Sequence, residues 1–178
     1  EGAVSREYTT AGEDGKWFYF QSNGRAKRAD SKDFKDASID GKKYYFDENG
    51  VMLTGWHAVK ASPQSGDAVG ISRFVYLGGP DDGYLVKGQW KELSSHPGDS
   101  EDKGVLNRLD SYKGPQEGDK AWYYFGNDGV PAYLKTTART MNGAITKING
   151  EGYFFDQYGC RQNGLVKVTA GDTVLTGY

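Results

Sequence analysis

The sequence predicts an all-β fold, a solenoid of stacked β-hairpin repeats with inserted loops. Three observations predict it. An aromatic run closing in Phe, followed by a polar turn and Gly, recurs along the chain, as in "GKKYYFDENG" at 41–50. Glycine is abundant, with 26 copies in 178 residues, beside 13 Tyr, 8 Phe and 4 Trp, the composition of short strands separated by frequent turns. Within each run the side chains alternate between faces, so that Phe20, Phe46, Phe125 and Phe155 point into the stack while Tyr19, Tyr45, Tyr124 and Phe154 point the opposite way.

The copies run in order along the chain. "GKWFYFQSNG" ends at Gly24, "GKKYYFDENG" at Gly50, "AWYYFGNDG" at Gly129 and "GYFFDQYG" at Gly159; a looser copy, "SRFVYLGGPDDG", ends at Gly83 with Leu77 in place of Phe. The repeat cores are expected near 15–29, 41–56, 70–90, 119–133 and 148–168, as one array over 1–178. Asn-Gly and Asp-Gly supply the positive φ of hairpin turns, so each aromatic strand is expected to turn at its Gly into a weaker second strand, such as Val51-Met52-Leu53, Tyr84-Leu85-Val86 or Leu165-Val166. Lone hairpins are marginal in water, but stacked ones bury one another's aromatic faces. The uneven spacing implies insertions at 60–70, 91–118 and 134–147. The second is charged and nearly free of aromatics; the third, with its flanks at 133–150, carries enough Thr and Ile for an extra strand.

Composition excludes several classes. A formal net charge of -2 gives no electrostatic case for nucleic acid or an anionic membrane. No apolar run approaches the roughly 20 residues that span a bilayer. Cys160 is the single cysteine, which excludes an internal disulfide framework without fixing the compartment. The abrupt start at Glu1 suggests a mature or trimmed piece of something longer.

"GKKYYFDENGVMLTGW" (41–56) resembles the cell-wall-binding repeat of Gram-positive surface proteins, whose pattern reads roughly GxWYYFDxxGxMxTGW. That broad family includes choline-binding modules, glucan-binding repeats and the carbohydrate-binding repeats of clostridial toxins. "IDGKKYYFDENGVM" (39–52) and "INGEGYFFDQYGCRQNGLV" (148–166) are similar to the toxin-type spelling; "GKWFYF" (15–20) and "AWYYF" (121–125) are similar to the choline-type spelling, with Trp heading the strand. The likeness covers the repeat cores, about half the chain, and does not extend to the insertions.

In choline-type modules, as the resemblance implies, a ligand sits between hairpins in a cage formed by the Trp after the Gly, the Trp heading the next strand and an aromatic one repeat later. Ring faces hold a trimethylammonium group, which donates no hydrogen bond, by cation–π attraction; a sugar lays its C–H face on a ring. Carried over position by position, the pattern gives two ligand-binding sets: Trp56, Phe74 and Tyr124, and Trp90, Trp122 and Phe154. Phe replaces Trp at 74, Phe replaces Tyr at 154, Lys43 and Gly152 stand where a strand-heading Trp would be, and Trp90 falls one residue late. These departures favour a carbohydrate, or no small ligand at all, over choline.

No catalytic residues are assigned. His57 and His96 stand in different segments with no triad spacing, and the acidic pairs Asp81-Asp82 and Glu101-Asp102 fall in loops. No His/Cys cluster implies zinc, the acidic stretch 99–104 lacks calcium-loop spacing, and no phosphate loop or cofactor motif is present. The expected function is a non-catalytic cell-wall or carbohydrate-binding module of an extracellular protein, secreted or wall-associated. The expected partner is cell-wall polymer (choline-bearing teichoic acid or glucan) or host glycan, with neither nucleic acid nor membrane insertion. Uncovered terminal hairpins offer edges for homodimer pairing. The alternative is a structural spacer or protein-interaction array with degenerate sites.

Overall fold

Two glycine turns set the hairpin register. Asp40 (φ 50°) and Gly41 (φ 76°), and likewise Asn149 (φ 52°) and Gly150 (φ 87°), are consecutive left-handed residues, the backbone of a two-residue turn that matches strand twist. In the computed structural model, which describes residues 3–6, 15–30, 34–107, 113–138, 140–170 and 173–177, the first turn joins β3 (Lys35–Ile39) to β4 (Lys42–Phe46), and the second joins β9 (Ile145–Ile148) to β10 (Glu151–Phe154). The aromatic strand is thus the second strand of its hairpin. This corrects the expected order, in which the aromatic strand came first and turned at Gly50 or Gly159 into a second strand.

The remaining strands among the described residues are β1 (Ala3–Arg6), β2 (Lys16–Tyr19), β5 (Trp56–His57), β6 (Val75–Tyr76), β7 (Gln89–Leu93), β8 (Ala121–Phe125), β11 (Val166–Ala170) and β12 (Thr173–Gly177). Antiparallel two-stranded sheets form from β1 and β2, β3 and β4, β7 and β8, β9 and β10, and β11 and β12. The extra strand expected within 133–150 is β9, which comes after a single helical turn, α1 (Met141–Ala144). Val166 begins a hairpin of its own rather than completing the fifth repeat.

A tight loop succeeds each aromatic strand. Asp47 N–H donates to Val51 O at 3.0 Å, Gly50 N–H donates to Asp47 O at 3.1 Å, and Asp47 Oδ1 accepts from Asn49 and Val51 N–H, both at 2.8 Å. Asp156 repeats the arrangement with Tyr158 and Cys160 N–H, both at 2.9 Å. Where Gln21 or Gly126 opens the loop, Asn23 or Asp128 within it supplies the accepting oxygen instead. A local carboxylate that satisfies loop N–H groups competes with a ladder. The expected second strand therefore shrinks to one bridge, Phe20 with Ala26, Phe46 with Met52, Phe125 with Pro131 and Phe155 with Arg161.

The chain divides into two compact units, Glu1–Gly55 with Tyr76–Leu85, and Trp56–Val75 with Val86–Tyr178. Within each, one residue after the loop reaches back to the residue that heads the previous aromatic strand. In the first unit Met52 N–H donates to Trp17 O at 2.8 Å and Leu85 N–H to Lys43 O at 2.7 Å; in the second, Arg161 N–H donates to Trp122 O at 2.8 Å. The closing Phe46, Phe125 and Phe155 are buried, whereas Phe20 is half-buried. Full burial of such a ring contributes roughly 1.5–3 kcal/mol. In the second unit Ile71, Val130 and Tyr133 form a further core cluster.

The charged insertion at 91–118 is tied down in the second unit. His96, fully buried, pairs Nδ1 with Tyr123 Oη and Nε2 with Asp119 O, each at 2.7 Å. His57 Nδ1 and Ala58 N–H both meet Asp102 Oδ2 at 3.0 Å. In the insertion at 60–70, buried Asp67 accepts from Val69, Gly70 and Ser72 N–H and from Ser72 Oγ. Among the described residues, no helix is long and apolar enough to cross a membrane.

Candidate aromatic ligand face

The hairpin of β7 and β8 carries the site. Trp90 lies opposite Tyr124 and Glu92 opposite Trp122. Alternation then places Trp90, Glu92, Trp122 and Tyr124 on one face, and Lys91, Tyr123 and Phe125 on the other. The second face is the inner one, since Tyr123 and Phe125 are fully buried. On the first face the Trp90 and Tyr124 ring centroids are 5.2 Å apart, and Trp122 is 38% exposed. Lys120 Nζ stands 3.7 Å from Glu92 Oε2 at its edge.

The next repeat closes on this face. Trp90 meets Tyr153 edge-on at 4.8 Å and stacks on Phe155 at 5.7 Å. Arg161, placed by its backbone bond to Trp122 O, holds its guanidinium carbon 5.6 Å from the Trp90 ring centroid and 5.5 Å from that of Trp122. Both distances lie within the roughly 6 Å over which a cation–π contact counts.

The six sequence-proposed residues fare differently. Trp90, Trp122 and Tyr124 come together, although the pattern had put Tyr124 in the other set. Phe154 is half-buried, and its neighbours on either side along the strand, Tyr153 and Phe155, are the rings that touch Trp90. Trp56 is only 4% exposed and Phe74 is fully buried. Trp56 packs on Tyr123 at 5.0 Å and Phe125 at 5.4 Å, its Nε1–H donates to Ser95 O at 2.8 Å, and Ser100 Oγ donates to Trp56 O at 2.7 Å. The insertion at 91–118 therefore covers Trp56, and at these two positions the structure shows packing where the sequence suggested a ligand face. In both sets the rings that meet the Trp lie one residue from the expected one, and a shift of one residue along a strand changes the face.

Other repeats lack the two tryptophans. Tyr45 lies opposite Asp36, so Asp36 and Lys43 occupy the places that Trp90 and Trp122 hold in β7 and β8. They form an ion pair at 2.9 Å. The hydrogen bond with Lys43 holds the Asp36 carboxyl below its ordinary value, and the same bond raises the Lys43 ammonium. In the fifth repeat Ile145 and Gly152 take these places, and a Cβ on Gly152 would lie 2.9 Å from Ile145 Cγ2. Beneath this repeat, burial raises the Asp156 carboxyl and pushes the Cys160 thiol up to about 12.

Sequence reasoning missed Tyr153, Phe155 and Arg161 as neighbours of the site. The available signal for Arg161 was its place two residues after the loop glycine, where Met52 stands in the second copy.

A family model described as a choline-binding repeat matches residues 37–64, and one described as a putative cell wall binding repeat matches 13–26 and 116–130. At these segments the chain carries repeats of the choline-binding, cell-wall-binding family. Solved structures of such proteins share the all-β fold. Choline binding protein F from Streptococcus pneumoniae superposes with a TM-score of 0.53 at 18% identity, over 96% of this chain and 38% of that one. CbpF in complex with ipratropium gives 0.55 at 18% identity, over 96% and 39%. CbpJ from Streptococcus pneumoniae gives 0.51 at 18% identity, over 94% and 37%. The chain thus spans under two fifths of each of these structures. No curated protein matches it in sequence.

Proposed function

We propose that this chain is a non-catalytic module that attaches an extracellular, wall-associated bacterial protein to cell-wall polymer. The ligand rests on the aromatic face of β7 and β8, with Trp122 and Tyr124 beneath it, Trp90 closing the inner end and Phe154 at the margin. The observation that carries the reading is the clustering of Trp90, Trp122 and Tyr124 on one hairpin face with Trp122 38% exposed. A large amphipathic ring kept partly in water is suited to a sugar face or an ammonium head. Trp56 and Phe74 are left out of this site because both are buried. The non-catalytic reading draws support from the histidines, since His57 and His96 are each engaged in holding the insertion at 91–118.

The module is read as hairpins stacking in chain order, a solenoid of nearest-neighbour contacts. Support comes from the recurring bonds from Met52 to Trp17 and from Arg161 to Trp122. A single shallow face binds weakly, so useful retention on a wall requires linked sites. The second reading, a spacer or interaction array, has its own observation: the Asp36–Lys43 pair, and Ile145 with Gly152, stand in two other repeats where Trp90 and Trp122 stand in this one.

The test is a pull-down of the intact chain on a panel of wall polymer with and without choline, glucan and host glycans, with size-exclusion chromatography to detect pairing through terminal hairpins. Saturable retention on wall polymer or a glycan supports the module. Uniform failure to be retained would favour the spacer.

A further inference from the structure

We infer that Arg161 is the specificity-determining residue of this face. Its guanidinium is a built-in cation that occupies the slot between Trp90 and Trp122, so that the face takes a sugar ring and refuses a quaternary ammonium. The inference rests on the reading of β7 and β8 as the ligand face.

Four observations converge. The guanidinium carbon lies at nearly equal distances, 5.6 and 5.5 Å, from the two indole centroids. Arg161 is brought there by its own backbone, because its N–H donates to Trp122 O at 2.8 Å and it bridges Phe155. Its Nε is buried and has no hydrogen-bond partner among the described residues, so no acceptor at that atom explains why the side chain lies here. The rings do explain it: a guanidinium is planar and weakly hydrated and lies readily on aromatic faces. Finally, the corresponding residues of the other copies, Ala26, Met52 and Pro131, are all uncharged.

The consequence is steric and electrostatic together. A trimethylammonium group would need the same ring faces and would meet a fixed like charge a few ångströms away. A neutral sugar ring needs only the outer surface of Trp122, which stays 38% exposed with the guanidinium in place.

The experiment compares the wild type with Arg161→Met and Arg161→Ala, residues already tolerated at this place as Met52 and Ala26. Choline chloride is titrated against sodium chloride at equal ionic strength, with tryptophan fluorescence as the readout and circular dichroism as the check on folding. Either folded variant is expected to bind choline at least about tenfold more tightly than the wild type. A gain below tenfold in both folded variants overturns the inference. Retention of all three proteins on choline-free wall glycan is measured in parallel. Failure of all three proteins, wild type included, to be retained there, together with a gain in choline binding by the variants, would sink the glycan reading of the face and leave the role of Arg161 standing.

Discussion

Tyr123→Phe tests how the charged insertion is held. The Tyr123 ring is fully buried, and its hydroxyl meets Nδ1 of fully buried His96 at 2.7 Å. Asp119 O can only accept, so His96 Nε2 carries a proton; in the neutral ring, Nδ1 then accepts from Tyr123 Oη–H. Cys160 Sγ–H in turn donates to the same hydroxyl at 3.5 Å. Deleting one oxygen leaves the ring packing on Trp56 and Phe125 in place but strands a buried imidazole nitrogen, which costs about 1–3 kcal/mol. For a chain of this size each kcal/mol lowers the melting temperature by roughly 2–4 °C. Thermal unfolding followed by circular dichroism measures the loss. Tyr124→Phe is the matched control, since its hydroxyl makes no hydrogen bond among the described residues, and it should change stability by less than about 0.5 kcal/mol. Equal stability of the two variants would refute the account of how His96 is anchored.

Trp56→Ala should destabilise the second unit by about 3–5 kcal/mol, as a cavity in a filled core does, and denaturant unfolding will show it. Gly159→Val should cost more than about 1 kcal/mol by the same assay, because Gly159 has φ 84° and an added Cβ would lie 3.3 Å from Ala132 O. The Cys160 thiol, held up at about 12 by burial, should stay protonated and react with a disulfide reagent at pH 8 only on unfolding; reaction at the rate of a free thiol in the native protein would contradict its placement. Asp36 has its pKa lowered by Lys43, so its contribution is present above the unfolded carboxyl pKa and fades as pH falls through the lower folded value. Both side chains are more than a third exposed, so Asp36→Asn should lower stability at neutral pH by less than about 1 kcal/mol and leave it unchanged in strong acid.

The aromatic strands were legible because Tyr and Phe runs have few other uses in so glycine-rich a chain. Their partners were not: Lys35–Ile39 reads KDASI and Ile145–Ile148 reads ITKI, with no aromatic to mark either. The turns that fix register, Asp40-Gly41 and Asn149-Gly150, were visible in the sequence, but the polar residues and Gly after Phe46 and Phe155 looked equally like a hairpin turn. Only the Asp47 and Asp156 side-chain bonds reveal those as closed loops. At the site, Trp90 and Trp122 came from the family resemblance, Trp90 one residue late against its pattern. Tyr153 and Phe155 were not, because a strand's facing depends on its partner, and Arg161 requires knowing that the loop returns to Trp122.

The central claim is that a polymer docks on the outer face of β7 and β8, and sedimentation with purified cell walls tests it most directly. Trp122→Ala should weaken retention by about tenfold or more, the scale of a lost ring contact, while a folded Trp56→Phe retains wild-type binding. Unchanged retention of Trp122→Ala, or loss confined to Trp56→Phe, would contradict the account.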